Sequence, residues 1–442
     1  MIILTDIDPN CPDNCGSTPL QYAAFNGHEG VVKLLLEKKD IDPNRPDMYD
    51  QTPLRSAAVH GYERMVKLLL DRADVDPNRP DDNDRTPLGC AIVEGHEGVV
   101  KLLLERENID PNRPDKYDVT PFGHAVIKGD EGLVKLLLER GDVDPNRPDK
   151  YDRTPLGYAA LGGQKSVVKL LLELGDVDPD IPDENGWAPL GCSAIKGHEG
   201  VVKLLLEREN VDPSRPDKND ITPLGHAAIM GHERVVRLLL NRKDIDPNCP
   251  DNHDMTPLVY AAMRAHKSIV KLLLERGDVD PNRPGKYDRT PLGWAAIHGH
   301  DGVVKLLLER GDVDPDHPDE NGRAPLGCAA IEGHEEVVKL LLEREDIDPN
   351  RPDKDGDGPL RCAAICGHEA VVKLLLERGD FDSNRLDKHS GTPLPYAAGE
   401  GPGVMQLPQA RKSVETPDAG IRQEQGWDAW KSLRVFFGKK KS

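Results

Sequence analysis

Residues 141–174 read GDVDPNRPDKYDRTPLGYAALGGQKSVVKLLLEL, and the reading of this stretch decides the fold. Its first fourteen residues, Gly141–Thr154, hold two prolines and several turn formers. Proline lacks a backbone donor and breaks helix interiors, so the segment is a hairpin-like loop. Thr154-Pro155-Leu156 is a helix start: a Thr oxygen caps the first N–H groups, and Pro fits the first helical position. Leu156, Ala159 and Ala160 follow at helical spacing. Gly163 ends that helix by adopting the left-handed conformation. A second helix runs from Val167 to Glu173.

The reference proline Pro155 recurs every 34 residues, at Pro19, Pro53, Pro87, Pro121, Pro155, Pro189, Pro223, Pro257, Pro291, Pro325, Pro359 and Pro393. These number units 1–12, and positions below are counted from them. A second proline lies seven residues before the reference in eleven units, and a third ten before in eleven. Together they account for 34 of the chain's 38 prolines. Tetratricopeptide repeats share this period, but a pair of long helices cannot hold the two loop prolines. One unit cannot bury its own apolar face, whereas stacked neighbours can. The expectation is an α-solenoid, not the three or so domains that 442 residues would otherwise suggest.

Thr-Pro-Leu, then Ala-Ala, then Gly-His as in Gly27-His28, Gly95-His96, Gly197-His198 and Gly231-His232, then Val-Val-Lys-Leu-Leu-Leu, resembles the ankyrin repeat. The resemblance covers about residues 5–401. It implies a β-hairpin-like finger plus two antiparallel helices per unit, and protein binding without catalysis. Arrays this long and regular resemble those of multidomain NACHT-type receptor-like proteins, whose ATPase half has no counterpart here. Two departures stand out. The unit is one residue longer than is usual for the family, the extra residue lying in Asp-Pro-Asn-Arg-Pro-Asp, where the prolines should hold the finger extended. And the place two after the proline is Gly in seven units: Gly89, Gly123, Gly157, Gly191, Gly225, Gly293 and Gly327. Gly inside a helix costs about 1 kcal/mol relative to Ala, so a finger crossing close over this helix is expected.

Composition narrows the function. With 58 Lys+Arg against 78 Asp+Glu, the net charge of −20 disfavours generic nucleic-acid binding. No apolar run approaches the roughly 18 residues of a membrane span, and the N-terminus lacks the basic region of a signal peptide. Eight cysteines in this length do not make a disulfide scaffold. The chain reads as intracellular, in cytoplasm or nucleus.

The lattice absorbs most apparent chemistry, so neither catalysis, cofactor nor metal is expected. The Gly-His histidines His28, His96, His198, His232, His266, His300, His334 and His368 recur once per unit, roughly 8–10 Å apart, too far to share a zinc. They are expected to bond the turn between helices. Cys90, Cys192, Cys328 and Cys362 share one place, three after the proline. Cys11 and Cys249 share another, and Cys362 and Cys366 stand four apart on one helix. Asp353–Gly358 imitates the start of a calcium loop, but its twelfth place is Ala364 instead of Glu. No phosphate loop, zinc-protease helix or nucleophile elbow occurs. Asp six before the proline, in eleven units with Gly285 the exception, and Asp or Gly three before it, read as turn chemistry.

Four places vary freely between units: four before, two before, three after and seven after the proline. They carry Tyr, Trp, His, Arg and Met, the types enriched in binding hot spots. In ankyrin-like folds these places line the finger tips and the concave surface. The candidate protein-binding residues are therefore Tyr49, Tyr117, Tyr151, Tyr158, Trp187, His226, Tyr260, Arg264, Tyr287, Arg289, Trp294 and His298. Six after the proline the residue is apolar in eleven of twelve units, which packs against the next unit or forms an exposed stripe. Units 5–6 share their oddities with units 9–10, 136 residues on (Asp180 and Asp316, Ala188 and Ala324), which suggests a duplicated four-unit block.

The ends differ. Residues 1–10 read as the remnant of a truncated repeat, 11–401 as the array with a degenerate twelfth unit, and 402–442 as a tail. The tail holds eight Lys/Arg and four Asp/Glu, so the array carries −24 and the tail +4. It is largely disordered by composition, with a short amphipathic helix at 426–437 that could cap the array, bind a partner or touch an anionic surface. The function expected is a protein-interaction module; the alternatives are an elastic spacer or scaffold without a single ligand, and an adaptor presenting targets to an enzyme through its tail.

Overall fold

The structure, a computed structural model, describes residues 8–378. Among these lie eleven helix pairs, one per unit, from Pro19–Phe25 and Glu29–Leu36 in unit 1 to Pro359–Cys366 and Glu369–Glu377 in unit 11. Residues 1–7, unit 12 and the tail with its expected helix at 426–437 lie outside the described residues.

Every first helix begins at its reference proline. Thr154 Oγ1 accepts the Gly157 N–H at 3.1 Å, and the Thr of units 1–4, 7, 8 and 9 caps its helix in the same way. Ala188, Ala324 and Gly358 stand there in units 6, 10 and 11 and make no side-chain cap, a loss of about 1 kcal/mol each. Gly163 leaves its helix at φ +68°. A side chain there would strike the imidazole of His198 in the next unit, 2.6 Å from an added Cβ. Unit 8 alone among the described units turns on a residue other than Gly, Ala265, at φ +59°.

First helix packs on first helix and second on second along the stack. Leu156, Ala159, Ala160, Val167, Val168 and Leu171 are fully buried, and their equivalents form one apolar cluster through all eleven units. The paired alanines let first helices approach closely; the Val-Val and the middle Leu of each triplet supply the area. A second, smaller cluster occupies units 7–10 on the finger side: Ile221, Ile229, Met255, Val259, Tyr260, Met263, Trp294, Ile297 and Cys328. The residue six after the proline thus packs inward there, as Ile229, Met263 and Ile297, whereas Val59, Val93 and Ile127 are only half-buried.

The fingers contain no strand among the described residues, only a bridge between Gly285 and Arg289. The expected reason for the helical glycines is not met. An added Cβ at Gly157 would meet Arg153 of its own finger at 3.1 Å, one at Gly123 would meet Val119, and at Gly191 and Gly327 it meets nothing within 4 Å. No neighbouring finger crosses there. Instead, at Gly123, Gly157 and Gly225 the residue two before the proline lies over this place. Where that residue is Arg85, Val119, Arg153, Trp187, Ile221, Arg289 or Arg323 the place is Gly; where it is Ser17, Gln51 or Asp357, the place holds Gln21, Arg55 or Arg361; unit 8 departs from this, with Met255 beside Val259.

Candidate interaction surface

The finger is organised by the Asp six before the proline. Asp149 Oδ1 accepts from the N–H groups of Tyr151 and Arg153 at 2.9 and 3.0 Å, which sets the turn. The residue three before the proline then takes the left-handed conformation, as Asp50, Asp84, Asp118, Asp152, Asp220 and Asp254 do at φ 53–61°. This much was expected. The second carboxylate oxygen was not: it is buried, and its partners come from two different units.

Tyr158 donates its hydroxyl to Asp149 Oδ2, as Tyr260 does to Asp251 Oδ2. His124 and His226 bond Asp115 and Asp217 at 2.9 and 3.0 Å. In both histidine units burial acts to raise the carboxyl pKa; the His bond and charge and the backbone N–H groups outweigh it, so Asp115 and Asp217 lie below the ordinary Asp range. Partners also reach in from the preceding unit, beside a His in the Asp115 and Asp217 joints and without one elsewhere. Arg153 Nε lies 3.1 Å from Asp183 Oδ2, Arg289 Nε 3.2 Å from Asp319, Arg323 Nε 3.3 Å from Asp353, and Trp187 Nε1 3.0 Å from Asp217. Arg55 does the same for Asp81 from four residues further on.

These donors are complementary across a spacing of 39 residues. When the preceding unit offers the apolar Val119 or Ile221, its partner three after the next proline is Tyr158 or Tyr260. When it offers Arg153, Arg289 or Arg323, the partner is Cys192, Cys328 or Cys362; Arg85, whose reach to Asp115 is a long 3.5 Å, faces His124 instead. Cys90 stands opposite Arg55 in the same way. The cysteines are therefore fillers beside an arginine-satisfied carboxylate. Burial pushes the thiols of Cys90, Cys192, Cys328 and Cys362 up to about 12, so they are protonated and poorly nucleophilic at neutral pH. The acidic run of unit 11 is absorbed likewise, since Asp353 accepts from the Asp355 and Asp357 N–H groups and from Arg323.

Unit 9 breaks the rule. Gly285 replaces the Asp, and an added Cβ would meet Met255 Sδ at 2.8 Å and Val259 Cγ1 at 3.4 Å. Apolar side chains from unit 8 occupy the carboxylate's place. Trp294 fills the rest of the joint, fully buried, with its Nε1 left without a partner. The turn changes as well: Tyr287 and Asp288 both take positive φ, 65° and 55°. Elsewhere the tips are joined by one backbone bond each, such as Lys150 N to Tyr117 O at 3.1 Å and Glu184 N to Tyr151 O at 2.9 Å. No such bond joins His253 and Lys286 among the described residues.

Three further ties cross the joints. The Gly-His imidazoles do not bond their own turn. Their Nε2 reaches the preceding unit, at the carbonyl six after its proline: His198 to Leu161 at 3.1 Å, His266 to Ile229 at 3.1 Å, His368 to Ile331 at 2.8 Å. That bond needs a proton on Nε2, and burial, which outweighs the bond itself, lowers the pKa of His198 and His266 and favours the neutral ring. An Asn nine before the proline clips the next finger twice, as Asn44 Nδ2 to Asp74 O at 2.6 Å and Asp76 N to Asn44 Oδ1 at 2.7 Å. An Arg ending the second helix clamps the unit before it. Arg276 holds Asp278 with Nε and Nη2 and passes Nη1 to Leu240 O at 3.0 Å.

Against this lattice the candidate residues divide in two. Tyr158, Trp187, His226, Tyr260, Arg289 and Trp294 are buried; they belong to the joints and offer a partner almost no surface in this conformation. Tyr49 is half exposed, and Tyr117, Tyr151, Tyr287, Arg264 and His298 are partly exposed. The structure brings the tip residues into a row. Lys150 Nζ sits 4.3 Å from the Tyr117 ring centroid and 4.9 Å from that of Tyr151, and Lys286 Nζ 4.9 Å from that of Tyr287. His298 stacks on Trp294 with centroids 5.8 Å apart. Exposed apolar residues that the sequence did not single out as binding candidates include Phe25 and Met48 near the first joint; Phe25 meets His60 edge-on at 4.8 Å. The paired charge of Lys116 and Lys150 at neighbouring tips is legible once the tips are known to stack.

A family model described as ankyrin repeats in three copies matches residues 1–81, 73–149, 122–217, 175–251, 209–284, 246–319 and 277–353, and a model of the single ankyrin repeat matches 355–388. No curated protein matches the chain. No helix among the described residues is long and apolar enough to cross a membrane.

Proposed function

The chain belongs to the ankyrin-repeat family, and we propose that it is a non-catalytic module that binds partner proteins through its finger tips and the adjoining ends of its first helices. Ankyrin repeats are generally protein–protein interaction modules. The observation that carries the finer reading is the row of tip tyrosines at Tyr117 and Tyr151, bracketed by the Lys150 ammonium. A tyrosine with an apolar ring, a polar tip and few rotamers loses little entropy on binding. Tyr49, Tyr287, Arg264 and His298, with Met230, extend this surface along the concave side. We place the chain in the cytoplasm, with the 11–401 array as the binding domain and the basic 402–442 tail as a separate contact.

Affinity capture from cell extract with the full chain and with Tyr117→Ala/Tyr151→Ala tests this reading. Loss of specific partners, with an unchanged unfolding midpoint, is the expected outcome. Identical partner sets from both proteins would favour the spacer or scaffold reading, which draws support from the regularity of the joints. Trp187→Ala and Trp294→Ala are unsuitable for this test, because they open joints.

A further inference from the structure

Asp180 and Asp316 stand where units 1–5, 8 and 9 carry the clipping Asn. In all of those units the amide nitrogen donates to a carbonyl 30 residues on, and in all but unit 5 the amide oxygen accepts an N–H from the next finger, as Asn282 does with Asp312 O at 2.6 Å and the Asp314 N–H at 2.7 Å. Asp316 keeps half of this arrangement: Oδ2 accepts from Asp348 N at 2.8 Å. Its Oδ1 takes the place of the donating nitrogen and is buried without a partner. The carbonyl equivalent to Asp312 O is that of Asp346, also an acceptor, so the second half of the clip has no donor. Asp180 repeats the situation toward the Asn210 carbonyl. The residue is 91% buried, given a relative exposure of 9%, Arg215 Nε holds Oδ2 at 2.8 Å, and Oδ1 is unpartnered.

We propose that Asp180 and Asp316 are proton-binding sites that close two finger clips, four units apart, when the pH falls. A proton on Oδ1 turns the carboxyl into the donor that Asn supplies elsewhere, and the clip to Asn210 O or Asp346 O forms. Without it, both groups are acceptors and no clip forms there. The charged groups around each site leave room for this. Asp180 faces Arg215, which favours the anion, and Asp178 and Asp212, which oppose it. Asp316 faces Arg351 on one side and Asp314 and Asp348 on the other, with His317 3.8 Å from Asp314. Burial, the largest influence on both, raises their pKa above the ordinary Asp value. A raised folded-state pKa means that the stabilisation is full below the unfolded value and is lost as pH rises through the folded one. The clips therefore close toward acid and open toward neutral pH.

The test is a carboxyl carbon NMR titration of the full chain, paired with hydrogen exchange of the 205–216 and 341–352 segments between pH 4 and 7. Both carboxyls are expected to titrate above about 3.9, the model-peptide value. After correction for intrinsic exchange, protection of the Asp212 and Asp348 amides should rise about two- to tenfold on acidification, the range set by one net hydrogen bond. Asp180→Asn/Asp316→Asn should be protected at both pH values, with that pH dependence gone. Asn282→Asp should install the same dependence between units 9 and 10. Carboxyls titrating at or below about 3.9, or a double Asn variant with unchanged pH dependence, would overturn the proposal.

Discussion

Units 8–10 and units 5–7 are built from the same repeat, yet they are tied differently. In the later stretch, Arg276, Arg310 and Arg344 each clamp the preceding helix, and Asn248 and Asn282 clip the following finger. In the earlier stretch Leu174 replaces the clamping Arg, Arg208 lacks its bracing Asp because Asn210 stands there, and Arg242 of unit 7 alone clamps in full. Asp180 and Ser214 then replace the clipping Asn in units 6 and 7. The apolar core is continuous through both. Core burial therefore holds the array together, while the polar ties distribute stability along it. In a solenoid whose units contact only neighbours, opening starts at the weakest joints, which places it between units 4 and 8.

Four changes break or sharpen that contrast. The largest is Trp294→Ala, which empties a fully buried site in the well-tied stretch; a loss of about 3–5 kcal/mol, read by denaturant unfolding, should move the weakest point there. Next is Arg153→Val, which leaves the Asp183 carboxylate buried without its cation and should cost about 3 kcal/mol. Adding Cys192→Tyr should recover most of this, because Tyr158 already serves Asp149 beside Val119 in the preceding joint. Failure of the double variant to exceed the single would refute the 39-residue complementarity. Leu174→Arg should add about 0.5–1.5 kcal/mol by completing a clamp for which Asp176 is in place, visible as slower exchange in units 4 and 5. Ala265→Gly relieves a left-handed residue and should gain up to about 1 kcal/mol.

Acid provides a graded version of the same comparison. Burial lowers the folded-state pKa of His198 and His266, so the unfolded chain takes up protons first. Stability should decline as pH falls below about 6.5. A melting midpoint flat from pH 7 to pH 5 in Asp180→Asn/Asp316→Asn, where the opposing clips are removed, would contradict this.

The repeat, the helix starts at each Thr-Pro and the glycine turns were legible because they obey rules inside one unit. The finger carboxylates were half legible: their turn-forming oxygen acts within the unit, the other between units. Variation two before and three after the proline resembled a free surface for the same reason. Read down one column, Val119, Arg153, Trp187 and Ile221 look unconstrained. Read against Tyr158, Cys192, His226 and Tyr260, each has its answer 39 residues later. The tip positions have no such answer, and they remain the candidates for recognition.

That pairing has a genetic consequence. An array of near-identical units invites unequal crossing-over, which adds or deletes whole units. A crossover joining unit 5 directly to unit 10 would bring Arg153 to Cys328, a match already in use as Arg289 with Cys328. One joining unit 4 to unit 6 would set Val119 against Cys192 and strand the Asp183 carboxylate. Permissible changes of length are thus restricted by a seam grammar, and the four-unit duplication respects it, since the seams from unit 5 to 6 and from unit 9 to 10 are both Arg–Cys.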